Sequence, residues 1–115
     1  MLPHEEIAVA FATALVERDF VRAQQFLDTE LKKRFPPDAL RDQFYGMFRC
    51  YAEGEPKRIH FDTEFSHVDW PAKLASDLGW AYVGIEGDDF VEAVTVTVAQ
   101  AASAPVIREI EWGRP

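Results

Sequence analysis

His67 and Asp69 stand two residues apart near the end of the run RIHFDTEFSHVDW, a spacing at which a carboxylate can orient an imidazole for proton transfer. The same pair serves equally as a hydrogen bond that closes a strand end. Glu92 and Arg108 form a second candidate pair, because each interrupts a run of Val and Ile and so brings a charge to an otherwise apolar face. Such a charge must pair, reach the rim or bind something, since an unpaired buried ion is strongly unfavourable. The two can form a structural ion pair or orient a ligand. Arg108, always ionised and carrying fixed donors, would take either Glu92 or an acidic ligand group.

Two acidic stretches invite a metal and do not support one. GIEGDDF, residues 84 to 90, sets Glu86, Asp88 and Asp89 around Gly87 without the alternating oxygen spacing of a calcium loop. Gly and Asp are what a turn selects, and a turn centred on Gly87-Asp88 puts Ile85 opposite Phe90 and Val83 opposite Glu92. In HFDTE, His60, Asp62 and Glu64 share one strand face, but successive side chains lie about 7 Å apart and cannot close around one ion unaided. The sequence therefore assigns no metal and no cofactor, and no catalytic residue outright.

The elements that must position these groups follow from periodicity. Pro3, Glu5 and Glu6 suit a helix start, and Ile7, Phe11, Ala14 and Leu15 recur at helical spacing. Ala8, Val9, Ala10, Ala12 and Val16 make this helix apolar nearly all round, so the fold should enclose it. Asp19 can cap a short second helix whose buried stripe is Phe20, Ala23, Phe26 and Leu27. After the basic LKKR segment, Pro36-Pro37 opens a third helix with Leu40, Phe44, Met47, Phe48 and Tyr51 on one side.

From residue 58 the period is two. Ile59, Phe61, Thr63, Phe65 and His67 share the inward face of one strand, and further strands are expected near 80 to 86, 90 to 100 and 105 to 112. Alternation turns Val83, Ile85, Phe90, Glu92, Val94, Val96 and Val98 toward the first helix, with Val106, Arg108, Ile110 and Trp112 beside them. The opposite face receives Trp80, Tyr82, Val91, Ala93, Thr95, Thr97 and Ile107. That mixed aromatic and Thr surface is larger than a monomer usually leaves to water, which predicts a homodimer through the outer sheet face.

The chain has 115 residues, 48% of them hydrophobic, which suits one domain over residues 1 to 115. Twenty acidic against 12 basic residues give a formal net charge of -8, and no basic cluster exceeds Lys32-Lys33-Arg34, so nucleic acid is excluded as a partner. Cys50 is the single cysteine and leaves no internal disulfide. The apolar run IAVAFATALV follows His4-Glu5-Glu6 and is too short to span a bilayer, so no membrane association and a cytoplasmic location are expected.

The expected architecture is α+β, with three N-terminal helices packed in the concavity of a curved antiparallel sheet of about four strands. This order, carried by IAVAFATALVERDFVRAQQFLD and by the closing hairpin FVEAVTVTVA to PVIREIEW, resembles the nuclear transport factor 2-like superfamily, the cystatin-like cone that includes SnoaL-like and ketosteroid isomerase-like proteins. The resemblance implies a pocket between helix and sheet. Some members use it as isomerases, dehydratases or cyclases, others are binding or assembly domains, and many bacterial members are small standalone dimers. The isomerases pair a carboxylate base with Tyr and a protonated Asp. Tyr45, Tyr51 and Tyr82 are present, but none stands in that spacing to a carboxylate. The candidate pocket residues are Arg108, Glu92, His67, Tyr51 and Trp112. They point to a noncatalytic, dimerising domain holding a small apolar or acidic ligand. The alternative is an enzyme using His67 or Glu92 as acid or base on a small organic substrate, and an open or filled cone separates the two.

Overall fold

The computed structural model describes residues 1–49 and 55–114, so the expected role of Tyr51 lies outside the described residues. Four helices precede an antiparallel sheet: α1 (Pro3–Val16), α2 (Phe20–Gln25), α3 (Thr29–Arg34) and α4 (Pro37–Gly46), then β1 (Arg58–His60), β2 (Ser66–His67), β3 (Asp77–Glu86), β4 (Val91–Gln100) and β5 (Pro105–Trp112). The class is α+β as expected. Among the described residues no helix is long and apolar enough to cross a membrane.

The start of α1 is set by Pro3 in its first turn and by Glu5, whose carboxylate accepts the Leu2 backbone N–H at 2.8 Å. Its apolar surroundings come from the sheet: Ala8, Phe11, Ala12 and Leu15 are fully buried. Beyond its end Arg18 adopts a positive φ of 62°, uncommon outside glycine. Its side chain holds that turn, donating to the carbonyl of Val16 and to the Tyr45 hydroxyl at 3.0 Å, with the guanidinium over the Phe44 ring. Among the described residues there are four α-helices rather than three, because LKKR is itself helical. Asp28 caps it, accepting from the Leu31 N–H at 2.8 Å, and its last turn carries the cations that suit a helix C-terminus.

The sheet runs β1-β3-β4-β5, and β2 pairs with the same strand β3 that β1 pairs with. The single strand expected from 59 to 67 is thus broken in two by a 3₁₀ turn at Thr63–Phe65. Ile59 and Phe61 still pack on the core. After the turn the alternation is reset. Ser66 pairs with Ala81 and His67 with Trp80, so His67 and its neighbour Phe65 lie with the outward-facing Trp80 and Tyr82 rather than inward.

Two other registers depart from the simple pattern. The β3–β4 hairpin pairs Ile85 with Glu92 and Val83 with Val94, two residues further along β4 than a two-residue turn would give. Residues 87 to 90 form the loop, and Phe90 folds back over Gly87, where an added Cβ would lie 2.5 Å from the Phe90 ring and 2.8 Å from the Glu55 carbonyl oxygen. Gly87 is required by this close approach, not by a positive φ. The shift by two keeps every side chain on its expected face.

In β5 the shift is by one. Val96 faces Ile110 and Thr97 faces Glu109, but Val98 faces Ile107, so Arg108 is the extra residue of a bulge. Ile107, expected outside, is fully buried in the core, while Val106 leaves it. Ile107 is also stitched to the helical layer: its N–H donates to the Phe26 carbonyl, and its own carbonyl accepts from Asp28, both at 2.8 Å.

Candidate functional site

The inner face of the sheet is occupied by packing. Ala81, Val83 and Ile85 of β3, Val94, Val96 and Val98 of β4, and Ile107 of β5 meet Phe11 and Leu15 of α1, all at 0% exposure. The outer face is different in kind. Cross-strand register sets Trp80, Thr97 and Glu109 side by side in one row, and Tyr82, Thr95 and Glu111 in the next. Each row therefore runs aromatic, threonine, glutamate across three strands. Aromatic and carboxylate strands are about 10 Å apart, and the two rows about 7 Å apart. Together with Trp70 they line a groove of about 330 Å³ whose three aromatic residues remain only partly buried.

The rim of this groove is fixed by the Arg108 bulge. Arg108 does not pair with Glu92 as the alternation suggested. It forks onto Asp77, with Nε 2.6 Å from Oδ1 and one terminal nitrogen 2.7 Å from Oδ2. The Asp77 side chain is fully buried, and it also accepts the Leu74 N–H at 2.8 Å. The hydrogen bonds from Arg108 hold the Asp77 carboxyl below its ordinary range against the opposing effect of burial, and Asp77 raises Arg108 in return. The second terminal nitrogen of Arg108 reaches Glu109 at 3.4 Å, which ties a groove carboxylate to the buried pair.

Of the other expected site residues, the described ones divide between two places, Glu92 with Trp112 and His67 apart from them. Glu92 and Trp112 meet at the far end of the sheet, lining an open depression of about 530 Å³ with Gln43, Met47 and Arg114. There Glu92 accepts the Arg114 N–H at 3.1 Å, and the buried Trp112 Nε1 has no hydrogen-bond partner among the described residues. His67 stacks on Trp80 with ring centroids 4.3 Å apart. Its register partner Trp80 and the Glu92 partner Ile85 are five residues apart on β3, about 16 Å, and on opposite faces. His67 and Glu92 cannot act on one reacting atom.

A buried polar cluster that periodicity did not reveal joins α1 to β2. His4 Nε2 lies 2.7 Å from Ser66 Oγ, and Ser66 also bonds the Glu5 carboxylate. His4 and Glu5 are 1% and 4% exposed. Burial pushes His4 below its ordinary value while Glu5 pulls it up; Glu5 is lowered chiefly by its bond to Ser66. The ring sits where a Gly79 Cβ would be, 2.6 Å from two of its carbons, so the glycine makes room for the histidine. The acidic turn is structural as well: Asp88 Oδ2 takes the Lys57 ammonium at 2.6 Å.

Among the described residues, no three His, Cys, Asp or Glu side chains gather to hold a metal ion. Asp77 and the pair Glu109 and Glu111 are the features sequence reasoning missed. The signal for the latter was the set WAY, TVT and EIE, which alternation alone cannot align. No protein-family model matches the chain, and no curated protein or solved structure matches it.

Proposed function

We propose that this chain is a noncatalytic binding domain of the nuclear transport factor 2-like kind that binds on the outside of its sheet. What supports the family reading is the order of elements, an enclosed apolar α1 followed by an antiparallel sheet. The observation that carries the binding reading is the groove over Trp80 and Tyr82. There Trp70, Trp80 and Tyr82 stay partly buried beside matched rows of threonine and glutamate, around a volume of about 330 Å³ fit for a small molecule. The ligand moves outward from the expected inner pocket because Phe11, Leu15 and the valines take up that space.

Self-association is the competing use of the same face. A twofold interface whose axis crosses the strands at the groove would set Glu109 and Glu111 of one copy against those of the other, and like charges so placed oppose it. A small ligand suits the charge better than a second copy. The test is amide NMR of the labelled protein with a panel of small amines, carboxylates and neutral sugars. Saturable shifts confined to residues 80, 82, 95, 97, 109 and 111 are expected from one class. If no class perturbs these positions, or if the shifts fall on the α1-facing residues instead, the outer face is not the binding surface.

A further inference from the structure

We infer that the outer groove binds a small aliphatic amine in its ammonium form, with two charged nitrogens preferred over one. This rests on the outer face being the binding surface and adds the class of ligand. The charge of the groove is negative and localised. Asp77 is neutralised by the forked Arg108, whereas Glu111 has no ion-pair partner among the described residues and Glu109 shares only the outer nitrogen of that arginine. Glu109 and Glu111 project from alternate residues of β5, so their carboxylates stand about 7 Å apart, near the separation of two ammonium groups on a four-carbon chain.

The remaining walls suit the rest of such a molecule. Trp80, Tyr82 and Trp70 present ring surface to which a cation or its methylenes are attracted. The chain's own Lys73 shows the chemistry on the same wall, with its ammonium 5.9 Å from the Trp70 ring centroid. Thr95 and Thr97 form the floor between aromatic and acidic strands, offering methyls to an alkyl chain and hydroxyls to an N–H. An anionic ligand would meet two carboxylates, with Lys73 on the Trp70 wall and the shared outer nitrogen of Arg108 as the cations beside them, and a neutral sugar would leave the carboxylate charge unused. An overall charge of -8 adds long-range attraction for cations.

The experiment titrates the labelled full chain with tetramethylenediamine, butylamine and sodium chloride at matched ionic strength. Saturable shifts at residues 80, 82, 95, 97, 109 and 111 are expected with the diamine, weaker ones with the monoamine, and none with the salt. Glu111→Gln should weaken the diamine roughly fivefold, and Glu109→Gln with Glu111→Gln should leave it no tighter than the monoamine, because each exposed charge contributes modestly. Thermal melts of both variants should match the parent, which separates lost binding from lost fold. Shifts that sodium chloride reproduces, or diamine binding indifferent to Glu111→Gln, would overturn the inference. If carboxylates or sugars shift the groove and amines do not, the ligand class falls while the binding surface stands. A silent groove across the whole panel sinks both.

Discussion

Along β3, β4 and β5 alternate residues face α1 and the residues between them face outward, and the two sets are built on different principles. The centre of the inner set is Ala, Val and Ile (Ala81, Val83, Ile85, Val94, Val96, Val98 and Ile107), each fully buried, and one could be exchanged for another of similar volume at little cost. The outer set is Trp, Tyr, Thr and Glu in matched rows, with carboxylates that burial does not require. An inner residue is explained by what it excludes. An outer residue such as Trp80 or Tyr82 packs on one side, against His67 or Phe65, and keeps the rest of its surface for what it could meet. The comparison teaches that, in one strand, position along the chain says little about role while parity says nearly everything, until a bulge reverses the parity.

The comparison can be broken most forcefully on the inner side. Phe11→Ala should destabilise by about 3–5 kcal/mol in urea titration, since Phe11 is fully buried and touches Trp112 across the core. A loss under about 1 kcal/mol would mean that the inner face is not the principal core. Next comes the seam between the faces. Arg108→Met leaves the Asp77 carboxylate buried and should cost about 3 kcal/mol, whereas Arg108→Met with Asp77→Leu should recover much of that. Equal losses in single and double variants would show that the pair does not act as a unit.

Gly87→Val should cost about 1–3 kcal/mol because the new side chain collides with Phe90 and the Glu55 carbonyl, while Asp89→Asn in the same loop should leave the fold unchanged. Chemical denaturation of the two variants side by side tests whether sterics or acidity governs the loop. A pH series sharpens the contrast further. His4 is held below its ordinary 6.5, so the unfolded chain takes up a proton first and stability should fall as the pH drops through 6.5 toward the folded value. Asp77 and Glu5, both lowered, contribute stability that is present above their ordinary 3.8 and 4.5 and is lost as the pH falls through their folded values. Melting curves of His4→Gln should lose the near-neutral part of this slope and keep the acidic part. An unchanged slope would exonerate His4. Smallest of all, Glu111→Gln should move stability by no more than about 0.5 kcal/mol, the expectation for an exposed carboxylate outside the core.

Much of the fold was legible because periodicity is a local signal. The apolar i, i+3, i+4 spacing of Phe11 and Leu15 and the alternation of Val94, Val96 and Val98 each identify an element and a face without reference to the rest of the chain. What failed was every inference that carried a face across an irregularity. One inserted residue at Arg108 sent Ile107 inward, and one 3₁₀ turn at Thr63–Phe65 sent His67 outward. The site residues were harder still. Arg108 and Asp77 are 31 positions apart, His4 and Ser66 are 62, and nothing in either residue's neighbourhood names its partner. Glu109 and Glu111 read as ordinary solvated charges until the register lays them beside Thr97 and Thr95.

The stitching of Ile107 to Phe26 and Asp28 bears on how the molecule survives at high concentration. β5 is the last strand of the sheet, and such an edge invites a strand from a neighbouring molecule to add to it and start polymerisation. Here both backbone groups of Ile107 are already taken by the segment before α3, and the bulge at Arg108 spoils the ladder spacing next to it. Pro105 has no N–H to offer at the strand's beginning. A foreign strand finds only the stretch from Glu109 to Trp112, shorter than the roughly 5–6 residues of an average strand and carrying two negative charges. The residue that upset the alternation is thus part of what keeps the sheet from growing beyond its own chain.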